Sequence, residues 1–227
     1  MYRAGRSRSY GARSGRRGSP GRRIRSIRAR FISIRTTPRR LDTKMNTPTT
    51  TDRLNDLFAY LDGLTERASI DTLQSLLAEL EIRVDDVRDF VRFSEDRYLR
   101  NLMRDGPWYH VLILCWRSGQ RSPIHNHAGS TCGFRILRGT ATETVFDFTP
   151  SGLIHPVSSA TLPPGTVRAS QDADIHQVSN LQAAGTDLIT LHIYSPPLLR
   201  MDTYSLTDRT VGEFRPMIVE HSLGSGI

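Results

Sequence analysis

The sequence predicts a mainly β domain, a small barrel or sandwich, with α-helices ahead of it and a basic tail ahead of those. Three observations carry this expectation. From Thr51 to about Phe93 apolar residues recur at three- and four-residue steps, the period of a helix face. After Gly106-Pro107 the chain turns to short runs rich in Val, Ile, Leu, Phe, Thr and Tyr, broken by Gly, Pro, Asp and Ser, as in all-β barrels and sandwiches. Ahead of both, residues 1–44 hold 15 of the 31 basic residues and a single acid, Asp42.

The tail has too few apolar residues to bury a core and is expected to be disordered. Its Arg-rich, Ser-rich, acid-poor composition also matches a transit segment, while the lack of an apolar h-region argues against secretion. A third reading, ranked first, starts the protein at Met45 and takes the upstream stretch as a mis-called extension. Arginine contacts to phosphate would make a nucleic-acid arm, but there is no interleaved aromatic pattern to suggest base stacking, so a nucleic-acid role is not the expectation. The tail also explains the net charge of +8: residues 45–227 have 16 basic against 22 acidic residues, about −6.

Leu54, Leu57, Phe58, Leu61 and Leu64 form one helix face, and Ile70, Leu73, Leu76, Leu77 and Leu80 a second. Ser69 followed by Asp71 reads as the second helix start, and a shorter third helix is expected around Val84 to Phe93, with Val87, Phe90 and Val91 on one side. The expected strands are Tyr109–Arg117, Cys132–Arg138, Ala141–Phe148, Gly152–Leu162, Ile175–Val178 and Leu188–Tyr194, with a last one near Phe214–His221. A single domain over 45–227 suits the length, and no apolar run approaches the roughly 18 residues of a membrane span. The two cysteines, Cys115 and Cys132, fit neither a disulfide framework nor a zinc spacing. A reducing compartment, the cytoplasm, fits best, and Cys115 within VLILCW reads as a buried core residue.

The chemistry concentrates in Gly119-Gln-Arg-Ser-Pro-Ile-His125-Asn-His127 and its continuation through Cys132 to Gly139. Histidines two apart on an extended chain point to one side and can grip one ion together. His176, in Asp174-Ile-His176-Gln-Val-Ser-Asn180 after the Pro163-Pro164-Gly165 turn, can be brought opposite them by a second strand. The remaining histidines, His110, His155 and His221, have no partner at ligand spacing and are given no role.

Gly, five residues, His-x-His, four residues, a special position, six residues, Gly is the spacing of the first cupin motif, and His-x-x-x-Asn closes the second. In most metal-binding cupins the special position is glutamate; here it is Cys132. With Tyr98-Leu-Arg100-Asn-Leu upstream and Leu191-His192-Ile-Tyr194-Ser195-Pro196-Pro197 downstream, the chain resembles the cysteine dioxygenase family of thiol dioxygenases from about Tyr98 to Pro197. The resemblance implies a cupin barrel with a helical lead. It also implies Fe2+ on His125, His127 and His176, and oxidation of L-cysteine by O2 to cysteine sulfinate. Three neutral imidazoles leave the charge of a divalent ion uncompensated, unlike the two-histidine, one-carboxylate set of many iron oxygenases, and a thiolate substrate supplies what is missing. Three protein ligands leave positions for substrate and dioxygen.

By the same resemblance, Arg100 binds the substrate carboxylate with Tyr98 beside it. His192 orients Tyr194, and Cys132 and Tyr194 are the partners of a thioether crosslink found in some members. Thr190 stands where many relatives have serine. A branch preferring 3-mercaptopropionate usually lacks arginine at the place of Arg100, so Arg100 favours cysteine. The alternatives are a dioxygenase of another small thiol and a metal-binding cupin without turnover. Relatives with this ligand set are often monomeric, which is the expectation here, and Ser195-Pro196 is either a cis bond, as the family suggests, or an ordinary trans turn.

Overall fold

A computed structural model describes residues 32–34, 50–172 and 174–220 of the chain. Two helices, α1 (Thr50–Asp62) and α2 (Ile70–Glu79), and a 3-10 turn over Val84–Phe90 precede the β region. Its strands are β1 (Ile32–Ile34), β2 (Leu99–Gly106), β3 (Tyr109–Trp116), β4 (Thr131–Arg138), β5 (Ala141–Phe148), β6 (Ile154–Leu162), β7 (Val167–Gln171), β8 (Ile175–Ser179), β9 (Leu188–Ser195), β10 (Met201–Tyr204) and β11 (Val211–Phe214). They form a six-stranded sheet in the order β1-β7-β4-β9-β3-β2, a three-stranded sheet β6-β5-β8, and the hairpin β10-β11. The mainly β expectation with helices in front is met, and the larger and three-stranded sheets make the cupin barrel.

Side-chain alternation divides the core into two layers. On β3, Val111, Ile113 and Cys115 face outward and pack with Ile189, Leu191 and Ile193 of β9 against Leu57, Leu61, Leu73 and Leu77 of the helices. The even-numbered residues Leu112, Leu114 and Trp116 turn into the barrel with Phe134, Ile136 and Val178. Both faces of β3 and β9 are therefore buried, which is why each reads as a continuous apolar run. Cys115 lies in the outer layer, fully buried, and burial pushes its thiol up to about 12.

The helices start where expected: the Ser69 side chain accepts from the Thr72 N–H at the head of α2. Helix α2 then lies so close to β4 that a Cβ on Gly133 would come within 2.8 Å of Leu77 Cδ1 and 2.9 Å of Leu73 Cδ2. Gly133→Ala is therefore expected to overpack this contact and lower stability by about 1–3 kcal/mol, read as a drop in the urea midpoint with an unchanged slope.

Three expectations are corrected. The third helix is a 3-10 turn ending at Phe90. Beyond it the chain is drawn off helically spaced bonding, because the Arg92 carbonyl accepts from Asn101 Nδ2 and the Phe93 ring stacks under the Arg117 guanidinium at 4.6 Å. The strand expected near Phe214–His221 is displaced: β11 ends at Phe214, and residues 215–220 touch the sheet by a single bridge between Asn101 and Val219. Gly152 lies outside β6, in the left-handed region at φ 84° where the turn reverses. Ahead of the helices, Ile32–Ile34 pairs antiparallel with β7, Ile32 opposite Ala169 and Ile34 opposite Val167. The physical reason is the free edge of β7, whose backbone donors and acceptors an extended segment can satisfy. The rest of residues 1–44, and His221, lie outside the described residues.

Candidate metal centre

The two motif histidines sit in the connection between β3 and β4, not on a regular strand. The segment is held extended by a backbone exchange with β8: the His125 N–H donates to the His176 carbonyl and the His176 N–H to the His125 carbonyl, both at 2.9 Å. That antiparallel bridge sets His176 opposite His125, and His127 follows two residues on. One ring nitrogen from each lies within 4.8 Å of the others, a cluster able to hold a metal ion. All three rings are buried, with centroids 4.7, 4.9 and 5.4 Å apart.

The outward nitrogens are spoken for. His125 Nδ1 is 2.9 Å from the Pro123 carbonyl oxygen, His127 Nδ1 is 2.5 Å from Asp174 Oδ2, and His176 Nδ1 is 2.9 Å from Glu143 Oε1. An imidazole that donates through Nδ1 presents a bare Nε2 lone pair, the tautomer a metal ligand needs. His127 Nε2 is buried without a hydrogen-bond partner among the described residues, as expected of a nitrogen kept for an ion. Burial, with the two neighbouring histidines, holds His125 well below its usual range and so neutral. The residues present fit a divalent metal.

Beside the histidines, a small cavity has Tyr98, Arg100, His125, His176, His192 and Tyr194 in its wall. Arg100, on β2, is 3% exposed, and its Nε and Nη2 have no hydrogen-bond partner among the described residues. Its guanidinium carbon lies 4.9 Å from the centre of the Tyr194 ring. Tyr98 stacks on Trp116 with centroids 4.1 Å apart. Trp116 Nε1–H of β3 donates to Thr190 Oγ1 of β9 at 3.2 Å, Thr190 Oγ1 is 2.9 Å from His192 Nε2, and His192 Nδ1 is 3.1 Å from the Tyr194 hydroxyl. Phe134 lies flat against His192, with centroids 4.9 Å apart. Cys132 is directly opposite Tyr194 in the β4–β9 register, so both side chains point into the barrel. Burial raises the Cys132 thiol well above its ordinary value, with Asp174 adding to the shift, and burial likewise raises the Tyr194 phenol against the pull of Arg100.

The geometry thus brings together all eight residues singled out in the sequence. His110 ends up half-buried on β3, across from Tyr194, and His155 is exposed on β6 with its ring bonded to the Asp147 carbonyl. Sequence reading missed the groups that hold the histidine rings. Glu143 is 3% exposed and shared between His176 and Arg168, whose Nε is 3.2 Å from its second oxygen. Asp174 is fully buried, with Oδ1 unpartnered among the described residues. Burial favours its neutral acid, but His127, with His176 and Ser170, outweighs this and keeps the carboxyl below its ordinary value. A lone acid in the strand-like run ATETVF, on the same side as Ala141, was the one available signal for Glu143. Asp174→Asn keeps the shape and removes the charge, and is expected to weaken metal binding about 10- to 100-fold. Competition with a coloured chelator measures this; an unchanged affinity would count against Asp174 acting on His127.

The sequence profile of the family described as "Cysteine dioxygenase type I" matches residues 43–207. The chain belongs to the cysteine dioxygenase type I family. Among curated proteins it is 30% identical over 160 residues to cysteine dioxygenase type 1 of Danio rerio, covering 67% of this chain and 79% of that one. It is likewise 30% identical over 166 residues to the Rattus norvegicus protein of the same name, covering 70% and 77%. Among solved structures, a Klebsiella pneumoniae protein with a double-stranded beta-helix domain covers 60% of this chain and 93% of its own, at 15% identity and a TM-score of 0.43. Family membership makes the chain an enzyme. Among the described residues no helix is long and apolar enough to cross a membrane.

Proposed function

We propose that the chain is an iron(II)-dependent thiol dioxygenase that oxidises L-cysteine with O2 to cysteine sulfinate in the cytoplasm. One observation carries this reading: a buried guanidinium with two unused nitrogens shares a cavity wall with histidines from a three-imidazole cluster. A buried cation with unpaired donors is costly, and a small molecule with both a carboxylate and a thiolate answers the needs of Arg100 Nε and Nη2 and of the metal together. His125, His127 and His176 would hold iron(II), which when bound brings thiolate and dioxygen into one coordination sphere. The sulfur gives up four electrons and gains both oxygen atoms, so no separate reductant is consumed, and the thiol proton is released with the sulfinate.

Arg100 takes the substrate carboxylate through Nε and Nη2, which form a fork that matches two carboxylate oxygens. Tyr98, held flat on Trp116, closes the other side of that pocket. The chain from Trp116 through Thr190 to His192 fixes the imidazole that bonds the Tyr194 hydroxyl, so the phenol is held over the substrate. The methyl that Thr190 has beyond serine leaves this bonding intact. The Cys132–Tyr194 cross-strand pair supports the thioether: one hydrogen leaves the thiol and one the ring, and dioxygen takes the two electrons. Intact mass lower by two hydrogens and one linked peptide are expected. Two separate, unmodified peptides would remove the crosslink from the reading.

The deciding experiment is anaerobic iron(II) loading, then oxygen with L-cysteine, 3-mercaptopropionate and cysteamine in parallel, with sulfinate read by mass spectrometry. Cysteine sulfinate with matching oxygen uptake is the expected result. Uptake with 3-mercaptopropionate alone would reassign the thiol, and iron without uptake from any of the three would leave a metal-binding cupin.

A further inference from the structure

A second cavity, a surface groove of about 360 Å³, lies where residues 96–100 meet the start of the histidine segment at residues 120–123 and the stretch after β11 at residues 214–217. Arg97, Arg121 and Arg215 line it, and Asp96 is the one acid among its described lining residues. All three arginines are exposed. Arg215 is paired with Glu213 at 2.8 Å, but among the described residues no carboxylate lies within 4.0 Å of the Arg97 or Arg121 guanidinium. This cluster of arginine runs against the chemistry of its surroundings, because residues 45–227 carry more acid than base. The groove adjoins the metal pocket: Tyr98 and Arg100 line both.

We propose that this groove is an anion-binding vestibule to the metal pocket, in which Arg97 and Arg121 hold small carboxylate- or sulfinate-bearing molecules at its mouth. The physical basis is a local positive potential above an apolar wall of Phe214 and Met217, which focuses the field into the groove and raises the equilibrium occupancy of anions there. Exposed charges are screened, so the effect fades once the Debye length drops from about 10 Å at 0.1 M salt to a few ångströms. The identity of the anions rests on the dioxygenase reading; the binding claim does not.

The test is calorimetric titration of cysteine sulfinate into the full-length chain and into its Arg97→Gln/Arg121→Gln variant, alongside oxygen uptake with L-cysteine. Two exposed contacts are worth about a 5- to 10-fold weaker Kd in the double variant at low salt, a gap expected to close near 0.5 M salt, as screening requires. In uptake, inhibition by added cysteine sulfinate, a net anion, is expected to weaken in the double variant. Equal Kd values for the two proteins, or no detectable binding to either, overturn the vestibule whatever the uptake shows. Arginine-dependent binding without any uptake sustains the vestibule and removes the dioxygenase reading instead.

Discussion

Replacement of His176 by alanine is expected to abolish turnover while leaving a folded protein. The backbone exchange that fixes β8 against the histidine segment uses the His176 N–H and carbonyl, which alanine retains. Glu143, released from the ring, keeps its ion pair with Arg168. What disappears is one of three nitrogens clustered within 4.8 Å, and two imidazoles do not make up for the third. Loss of an outer hydrogen-bond partner alone weakens metal binding about 10- to 100-fold, so removal of the ligand itself should exceed about 100-fold. Metal analysis after desalting, oxygen uptake and a thermal melt of the metal-free protein together check this. Stoichiometric iron with normal turnover in the variant would show that the cluster is not the reaction centre.

The second large effect separates function from stability. Arg100→Met replaces a buried guanidinium with an apolar side chain of similar length. Because Nε and Nη2 lack partners among the described residues, the wild-type fold bears the desolvation of a charge it does not fully satisfy, and replacing such groups with apolar ones is often neutral or stabilising. The metal-free variant is therefore expected to melt no lower than wild type. Against this, a charge-assisted bond to substrate is worth about 1.5–3 kcal/mol, so kcat/KM for cysteine should fall by roughly 10- to 150-fold, converting at 1.4 kcal/mol per factor of ten. Cysteamine, which has no carboxylate, should lose little. An equal loss for both thiols would show that Arg100 supports the pocket rather than reads the carboxylate.

The helices and most of the barrel were legible because their apolar periods are strong: the leucine steps of α1 and α2, and the unbroken runs of β3 and β9. Strand β7 was not, and the reason is chemical. Its outward residues Val167 and Ala169 pack under the helices, while its inward residues Arg168 and Ser170 face the barrel. Arg168 is there to meet Glu143 and Ser170 lies near His127. A strand whose core side is polar loses the alternation by which strands are recognised. Strand β2 is hidden similarly, by the inward Arg100 and by a bulge between Leu102 and Arg104. At the centre, His125, His127 and His176 stand out by spacing, whereas Asp174 and Glu143 are tied to them only through the fold. The sequence expectation of an uncompensated cation is also refined: two carboxylates stand behind the imidazoles, one of them already matched by arginine.

A single residue, Ala68, joins the helical lead to the barrel beside the metal pocket. The Ala68 N–H donates to Ser195 Oγ and the Ala68 carbonyl accepts from Thr131 Oγ1, each at 2.9 Å, and those two hydroxyls belong to the neighbours of Tyr194 and Cys132. The turn between α1 and α2 therefore clamps adjacent barrel staves at the rung where sulfur faces phenol. Trimming the protein back to its β portion would strip this clasp from both hydroxyls, so the leading helices help fix the rung on which Cys132 and Tyr194 face each other.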